Sequence, residues 1–208
     1  MIYNLFPIPI GRYELGRDVS VKELSFIKNQ SVRSNEGNKT STCSSLLENK
    51  ELTLIRDFIE TKISEYFTEV YKPKHLVNLK ITQSWANYTT PGEYHHKHRH
   101  PNSFISGVFY MQSDPLKDRI YFYKDTYQQL SIPSAEFNEW NSESWWYETK
   151  PGDLIIFPSS LSHLVDNVTS QHTRISLSFN TFPIGCVGDK FELTSVRFDE
   201  FDTEYGKK

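Results

Sequence analysis

The stretch LKITQSWANYTTPGEYHHKHRHPNSFISGVFYM, residues 79–111, decides the fold class, because it carries two β-strand patterns on either side of a histidine-rich segment. In both flanks, β-branched and aromatic residues form short runs or alternate with polar residues, which is typical of strands. Pro91-Gly92 supplies a turn signal between them. Similar runs recur further along the chain as RIYFY, SWWYET, DLIIFP, HLVDNV and TRISLSFNTF. Seven or more short strands separated by turns predict a β-sandwich or a β-barrel.

The sequence before this β-rich part has helical periodicity. Ser20 and Glu23 have the spacing of a capping box at the start of a short helix. A longer helix is predicted over about residues 50–70, where apolar residues recur every three or four positions: Leu52, Ile55, Ile59, Ile63, Tyr66, Phe67 and Val70. The polar segment 29–45 between the two helices is predicted to be a long loop. Helices that precede strands favour an α+β layout in which the N-terminal helices cover the outside of a β-barrel.

The composition indicates one globular domain, because 208 residues are enough to bury a single core. With 23 Lys+Arg and 26 Asp+Glu residues, the chain lacks the positive field of proteins that bind duplex nucleic acid, so nucleic acid is not an expected partner. The sequence contains neither a run of about 20 apolar residues nor a secretory signal pattern. These features predict a cytoplasmic protein without membrane association.

We expect this single domain, residues 1–208, to have three parts. Residues 1–73 form a helical support, and residues 74–183 form the β core. Residues 184–208 form a C-terminal extension with an edge strand and a loose tail.

The chain has seven histidines, and four of them are His95, His96, His98 and His100. Alternate residues of an extended chain share a face, so His98 and His100, or His96 and His98, can bind one ion. A catalytic metal site generally takes three protein ligands, and His163, between two apolar strands, is a candidate for the third. Imidazole ligands suit iron, zinc, copper or nickel. The alternative is that the cluster is an exposed polar loop.

Arg174 is a second candidate for function. In the strand pattern TRISLSFN it shares one face with Ser176, Ser178 and Asn180, whereas apolar residues occupy the other face. If the polar face lines the barrel interior, the buried guanidinium requires an anion. A carboxylate held by two hydrogen bonds is the natural partner. The alternatives are a solvent-facing arginine or one half of an ion pair.

The order of these motifs resembles the Fe(II)- and 2-oxoglutarate-dependent oxygenases, and most closely a family of them common in marine phages and bacteria. The motifs that carry the resemblance span almost the whole chain: LFPIP (5–9), SWAN (84–87), HRHPNSFISGVFY (98–110), FPSSLSH (157–163) and RISLSFN (174–180). The resemblance implies a double-stranded β-helix, a jelly-roll barrel of the cupin type, with helices packed on its outside. It also implies an oxidoreductase that uses Fe(II), 2-oxoglutarate and O2, with ascorbate as a reductant in vitro. The implied reaction couples decarboxylation of 2-oxoglutarate to succinate with hydroxylation of a C–H bond.

The resemblance implies roles for individual residues. His98 and His163 match the two invariant histidine ligands of the metal, and His100 stands where most of the superfamily has a carboxylate ligand. Arg174 with Ser176 matches the Arg-x-Ser pair that binds the C5 carboxylate of 2-oxoglutarate. Two further residues resemble tyrosines that line the cosubstrate site: Tyr110 and Tyr88.

His100 is the point at which this sequence departs from the superfamily. Three neutral imidazoles leave the ion its full charge and resemble the sites of cupin-type dioxygenases that do not use 2-oxoglutarate. The Arg-x-Ser pair favours the keto acid. Other ligand sets stay open, namely His96 with His98 while His100 does not bind the metal, or a carboxylate from Glu93. A non-catalytic β-barrel with a binding or virion-structural role is a further alternative.

The segment 124–148 lies between two strand patterns and is rich in aromatic residues: Tyr127, Phe137, Trp140, Trp145, Trp146 and Tyr147. Loops at the rim of a barrel commonly carry specificity. If these side chains line a groove, an extended peptide suits it, so the preferred prediction is a prolyl or other peptidyl hydroxylase. Alternatively, the aromatic residues pack the barrel against the N-terminal helices, or the substrate is a nucleobase or a small metabolite.

Overall fold

The computed structural model describes residues 1–124, 130 and 132–199, which form two antiparallel β-sheets and two α-helices. The helices are α1 (Val21–Lys28) and α2 (Thr53–Tyr71). The strands, in chain order, are β1 (Gly11–Glu14), β2 (Val32–Ser34), β3 (Lys39–Ser41), β4 (Val77–Thr89), β5 (His95–His98), β6 (Ile105–Gln112), β7 (Arg119–Tyr123), β8 (Ser144–Glu148), β9 (Asp153–Pro158), β10 (His163–Val165), β11 (Arg174–Val187) and β12 (Val196–Phe198). No helix among these residues combines the length and the apolar composition needed to cross a membrane.

The two sheets have the strand order of a jelly roll. The larger sheet has eight strands in the order β1-β9-β6-β11-β4-β3-β2, with β12 paired to β11. The smaller sheet has four strands in the order β5-β10-β7-β8. From β4 to β11 the chain passes repeatedly from one sheet to the other, which is the arrangement of a double-stranded β-helix. The predicted fold class is confirmed.

The helices cover the outer face of the larger sheet, as predicted. At the start of α1, the Ser20 hydroxyl accepts a hydrogen bond from the Glu23 N–H at 3.2 Å, and the Glu23 carboxylate accepts one from the Ser20 N–H at 2.7 Å. This pair is the predicted capping box. In α2, an apolar stripe packs into one core with Phe109 and Leu177 of the sheet: Ile55, Ile59, Ile63, Tyr66 and Phe67.

The prediction that residues 29–45 form a long loop is wrong. Strands β2 and β3 make a hairpin there, and β3 pairs with β4 at the edge of the larger sheet. The Asn35 N–H donates to the Asn38 carbonyl at 2.9 Å across the turn, and Gly37 supplies a φ of 82° that a glycine adopts without strain. Most side chains of the hairpin are polar, so it lacks the apolar alternation that marks a buried strand.

Both ends of the chain also add strands to the larger sheet. At the N-terminal end, β1 pairs with β9. With β2 and β3, residues 1–73 therefore contribute three strands to the sheet as well as the helices. At the other end, β11 continues past residue 183, the predicted limit of the core, and pairs with β12, the expected edge strand. The predicted tail lies largely outside the described residues, from residue 200 onward.

Strand β11 separates two interiors. Ile175 and Leu177 point toward the helices and belong to the core beneath them. Arg174 and Ser176 point the other way and line a pocket between the two sheets, so the predicted division of faces along this strand is confirmed. A second apolar core fills the neighbouring space between the sheets: Val108, Tyr110, Ile120, Phe122, Ile155, Phe157 and Leu161.

Gly107 in β6 occupies a position where the packing leaves no room for a side chain. A Cβ atom there would lie 2.7 Å from Cε1 of Phe179 and 3.0 Å from the carbonyl oxygen of Ile155. We expect Gly107→Ala to lower the free energy of unfolding by about 1–3 kcal/mol, because overpacking displaces neighbouring side chains. Urea unfolding measures this loss, and the double variant Gly107→Ala/Phe179→Leu should recover part of it. An unchanged unfolding midpoint for the single variant contradicts the described packing.

Candidate metal centre

Three histidines, which we call the histidine triad, meet between the sheets: His98 ends β5, His100 follows it closely, and His163 begins β10. Strand β10 pairs with β5 so that His163 lies opposite His98, and cross-strand neighbours on one face of a sheet come into contact. The ring centroid of His163 is 4.4 Å from that of His98 and 5.1 Å from that of His100. The centroids of His98 and His100 are 4.9 Å apart. One ligand atom from each of the three rings lies within 4.8 Å of the other two.

Two backbone carbonyl groups orient the rings. Nδ1 of His98 lies 2.7 Å from the His96 carbonyl oxygen, and Nδ1 of His163 lies 3.0 Å from that of Leu161. A carbonyl oxygen only accepts hydrogen bonds, so each Nδ1 carries the ring proton and each Nε2 keeps a free lone pair. Nε2 of His163 lies 3.3 Å from Nε2 of His100. Two nitrogens bound at about 2.1 Å to adjacent positions on one ion are themselves roughly 3 Å apart, so this donor set fits a divalent transition-metal ion.

A buried network of hydroxyl groups fixes the backbone that carries His100. The His100 N–H donates to the Ser159 carbonyl at 3.0 Å. The Ser159 and Ser106 hydroxyls are 2.8 Å apart, and the Ser106 hydroxyl donates to Oδ1 of Asn180 at 2.8 Å. Ser159 lies in the motif FPSSLSH, Ser106 in HRHPNSFISGVFY and Asn180 in RISLSFN. Their membership of these motifs is the only feature of the sequence that indicates a role for them.

Burial keeps the histidine triad neutral. It lowers the pKa of His163 to about 3 and the pKa of His100 to about 4, and it also lowers the pKa of His98. The neighbouring imidazoles act in the same direction, because positive charges at these distances repel each other. At neutral pH the three rings are therefore uncharged, and their lone pairs are available to a metal ion.

We expect the metal-free protein to lose stability on acidification. Histidines of the unfolded chain bind protons near pH 6.5, whereas burial lowers the pKa of His163 to about 3 and that of His100 to about 4 in the folded state. Between these values the unfolded state binds more protons. The free energy of unfolding therefore falls as the pH drops below 6.5, by up to about 1.4 kcal/mol per pH unit for each such histidine.

Urea unfolding between about pH 7 and 5 measures this slope. The variant His163→Gln should flatten it, because it removes one histidine that stays neutral when folded. A wild-type stability that does not change over this range contradicts the burial of neutral imidazoles.

Arg174, at the start of β11, is buried, with 2% of its surface exposed. Its Nη1 donates to the Arg119 carbonyl at 3.0 Å, and its Nη2 donates to the Tyr110 hydroxyl at 3.2 Å. Its Nε is buried without a hydrogen-bond partner, and no carboxylate of the described residues forms an ion pair with it. Because a buried cation without a counter-charge is costly, this guanidinium is suited to bind an anion.

The histidine triad and Arg174 line the same pocket, together with other polar side chains: Asn87, His95, Ser176 and Ser178. Nδ2 of Asn87 donates to the Ser178 hydroxyl at 3.0 Å, and Oδ1 of Asn87 is buried without a partner among the described residues. The Trp85 ring lies 5.7 Å from the ring of His100. Trp85 and Asn87 belong to the SWAN motif, from which no role was predicted. The space between the side chains is about 20 Å³, room for roughly one water, so a larger ligand requires them to move apart.

Of the two tyrosines predicted to line the cosubstrate site, Tyr110 lies in the pocket and Tyr88 does not. The Tyr88 hydroxyl donates to the Ile27 carbonyl at 2.6 Å, and its ring packs into the core beneath the helices. The prediction for Tyr88 is wrong because neighbouring residues of a strand point to opposite faces, and in β4 the pocket side is occupied by Asn87.

The alternative ligands differ in where the structure places them. Glu93 accepts a hydrogen bond from the Thr90 N–H at 2.8 Å and belongs to neither group of side chains close enough to share an ion. The geometry therefore does not support Glu93 as a ligand. His96, in contrast, joins His95 and His98 in a second group whose ligand atoms lie within 4.8 Å of one another.

The aromatic residues of segment 124–148 fall into different environments. Trp140, Trp145 and Tyr147 line an open groove of about 480 Å³, which we call the aromatic groove. Residues 3–8 of the N-terminal segment line the same groove. The ring of Trp146 instead lies 3.7 Å from the guanidinium of Arg119. Tyr127 is outside the described residues.

Two solved structures resemble this chain in fold. One is an oxidoreductase of the 2OG-Fe(II) oxygenase family from Burkholderia pseudomallei, with a TM-score of 0.54 and 9% identity over 76% of this chain and 74% of that one. The other is HygX from Streptomyces hygroscopicus with nickel, 2-oxoglutarate and hygromycin B bound, with a TM-score of 0.57 and 9% identity over 84% of this chain and 82% of that one. At such low identity, these likenesses establish the fold alone.

A family model matches the part of the sequence that carries the site. A search of curated proteins gave no match. Residues 83–180 match the model of a family described as "Putative 2OG-Fe(II) oxygenase", and this range includes the histidine triad and Arg174. Over this segment, a little under half of its length, the chain matches the Fe(II)- and 2-oxoglutarate-dependent oxygenases, which are oxidoreductases with Fe(II) and 2-oxoglutarate as cofactors.

Proposed function

We propose that the histidine triad binds the Fe(II) ion of this oxygenase and that Arg174, Ser176 and Tyr110 bind its 2-oxoglutarate. The observation that carries the proposal is the state of Arg174, a buried guanidinium whose Nε has no partner among the described residues, in the same pocket as three neutral imidazoles. A ligand with a carboxylate at one end and two metal-binding oxygens at the other satisfies both groups at once. 2-Oxoglutarate has this chemistry.

Fe(II) held by the histidine triad would activate O2 for a reaction in which 2-oxoglutarate is oxidised to succinate and CO2, with one oxygen atom of O2 entering succinate and the other a C–H bond of the substrate. The side chains bind and orient the reactants. His98 and His163 present Nε2 because their Nδ1–H groups bond to carbonyls. The Arg119 carbonyl and the Tyr110 hydroxyl hold the guanidinium of Arg174 and leave Nε for a ligand. Exclusion of water from the pocket strengthens the attraction between the guanidinium and a carboxylate.

The experiment that tests this assignment compares O2 consumption with and without 2-oxoglutarate in the presence of Fe(II) and ascorbate. We expect O2 consumption to require 2-oxoglutarate. One succinate should form for each CO2 released. For an enzyme with three histidine ligands of the cupin type, which needs the metal but not the keto acid, 2-oxoglutarate would neither raise O2 consumption nor yield succinate. That outcome overturns the role given to Arg174.

We further propose that the substrate is a peptide, hydroxylated at proline or at another side chain. The aromatic groove supports this proposal, because aromatic-lined grooves suit extended, proline-rich segments. The groove also adjoins the metal centre. Phe122 lines it, and the Phe122 ring centroid lies 6.2 Å from that of His163.

A pool of peptides with and without proline tests the substrate class. We expect proline-containing peptides to raise succinate formation and to gain one oxygen atom by mass spectrometry. The variant Trp140→Ala should weaken this stimulation, whereas Phe191→Ala, at a residue 95% exposed and outside the groove, should not. Succinate formation that no peptide stimulates contradicts a peptide substrate and leaves the metal assignment intact.

Two single-hydroxyl variants should behave in opposite ways. Tyr110→Phe removes the hydroxyl that contacts Arg174, so we expect the KM for 2-oxoglutarate to rise roughly tenfold. Tyr88→Phe removes the bond to Ile27, so we expect an unchanged KM and a free energy of unfolding lower by about 1 kcal/mol. Steady-state kinetics and urea unfolding separate the two effects. The reverse pattern contradicts the faces assigned to these strands.

A further inference from the structure

We infer that His95, His96 and His98 form a second site for a divalent transition-metal ion, which overlaps the histidine triad and passes the ion to it through the shared His98. We call these three residues the outer histidine group. The inference depends on the proposed function only in taking the triad as the final position of the ion. Its metal-binding part stands on the geometry of the outer histidine group alone.

The outer histidine group is as compact as the triad. Its ring centroids are separated by 5.3 Å between His95 and His96, 4.6 Å between His95 and His98, and 4.8 Å between His96 and His98. One ligand atom from each ring lies within 4.8 Å of the other two. Three imidazoles at such separations suit the borderline-soft ions of the first transition row.

Among the described residues, the hydrogen-bond contacts of the His95 and His96 rings are long. Nε2 of His95 is 3.4 Å from Nδ2 of Asn35, and Nδ1 of His96 is 3.4 Å from the Glu36 carbonyl oxygen. Both distances lie beyond the usual range for nitrogen donors, so these contacts are readily exchanged for a metal–ligand bond.

A single ion can use His98 at any one time. Because Nδ1 of His98 carries a proton that it donates to the His96 carbonyl, Nε2 is its one free lone pair. The outer histidine group and the triad are therefore alternative positions for the same ion. An ion can move between them without leaving His98.

The exposure of the ligands gives this movement a direction. His163 in the triad is 4% exposed, whereas the side chain of His96 is 29% exposed. The Glu36 carboxylate, on the β2–β3 hairpin, lies 4.0 Å from Nδ1 of His96 and is open to solvent, so it attracts a cation to this entrance. An ion from solvent meets His96 before it reaches His163.

Equilibrium dialysis with Ni(II) tests the site in a protein that lacks the triad. We expect the double variant His100→Ala/His163→Ala to retain one equivalent of Ni(II), and the further change of His95 and His96 to alanine to abolish it. A matched control changes two exposed histidines outside both groups, His75→Ala/His172→Ala, and should not affect binding. If the triad variant binds no Ni(II), or binds it equally without His95 and His96, the site does not exist. Circular dichroism and the pair His100→Gln/His163→Gln distinguish lost binding from lost folding.

Stopped-flow loading of the full-length protein with Ni(II) tests the transfer. We expect His96→Ala to slow loading roughly tenfold. The amount of Ni(II) bound at equilibrium should not change, because the triad is intact. A wild-type loading rate in this variant overturns the transfer role. These measurements do not use 2-oxoglutarate, so a failure of the proposed catalytic function appears separately, as absent succinate formation in a protein that still loads Ni(II) at the rate that depends on His96.

Discussion

Replacement of Arg174 by lysine is expected to reduce kcat/KM for 2-oxoglutarate by roughly 100-fold, a loss typical of losing one or two buried hydrogen bonds to a charged group. Lysine keeps the positive charge but loses the planar set of N–H donors that binds a carboxylate through two hydrogen bonds. It also cannot reproduce the two contacts, to Arg119 and Tyr110, that position the guanidinium. Succinate formation at varied 2-oxoglutarate concentrations measures the effect.

The matched control for this prediction is Arg197→Gln, at an exposed arginine whose side chain pairs with Asp199. Because an exposed ion pair contributes little, kinetics and stability should both match the wild type. If Arg174→Lys retains the wild-type KM for 2-oxoglutarate, the anchor for the keto acid lies elsewhere in the protein.

The second large effect is expected at the histidine triad. His163→Ala removes one of three metal ligands. Loss of a residue that only hydrogen-bonds to a metal ligand costs up to roughly 100-fold in activity, so we expect 2-oxoglutarate turnover to fall by more than that. His100→Asp should behave differently, because a carboxylate at this position supplies a ligand and lowers the charge of the site. We expect this variant to retain Fe(II)-dependent turnover.

The control for the triad variants is His172→Ala, at an exposed histidine that lies outside the pocket. Its turnover should equal that of the wild type. Comparable losses in His172→Ala and His163→Ala would show a general loss of stability rather than loss of a ligand. Full turnover in His163→Ala contradicts the triad.

Local sequence patterns predicted much of the fold, because the side-chain period of a strand or helix is a local property. Burial alternates along β7, and apolar residues alternate with polar ones along the first half of β11, so both patterns are visible in the sequence. Strand β6 is instead a largely apolar run that is buried on both faces. Strand β1 and the β2–β3 hairpin were missed because their place in the sheet depends on distant partners, β9 and β4. Their own residues lack a buried apolar face.

The site was predictable to the extent that it depends on alternation within one strand. Arg174 and Ser176 were placed on the pocket face because Ile175 between them is apolar. The face of Tyr88 was not predictable in this way, since both Tyr88 and Asn87 are compatible with a buried position. Pairing settles it: Tyr88 lies opposite Ile175, whose side chain points toward the helices.

The contacts that complete the pocket could not be read from spacing. His163 meets His98 because β10 and β5 are neighbours in the smaller sheet, and this adjacency depends on the whole topology. The same holds for the bond between Arg174 and Tyr110, which joins β11 to β6. Motif order marked these residues as a set, and only the fold specifies the distances between them.

Anaerobic titration with Fe(II), with and without 2-oxoglutarate, tests the central claim most directly. If the triad binds the metal while Arg174 binds the far carboxylate, addition of the keto acid to the Fe(II)-loaded protein should produce the visible charge-transfer band of a chelated 2-oxo acid. The band should be absent in His163→Ala, and in Arg174→Lys it should appear only at much higher 2-oxoglutarate concentrations. Fe(II) bound by the wild-type protein with no band at saturating 2-oxoglutarate would contradict the account.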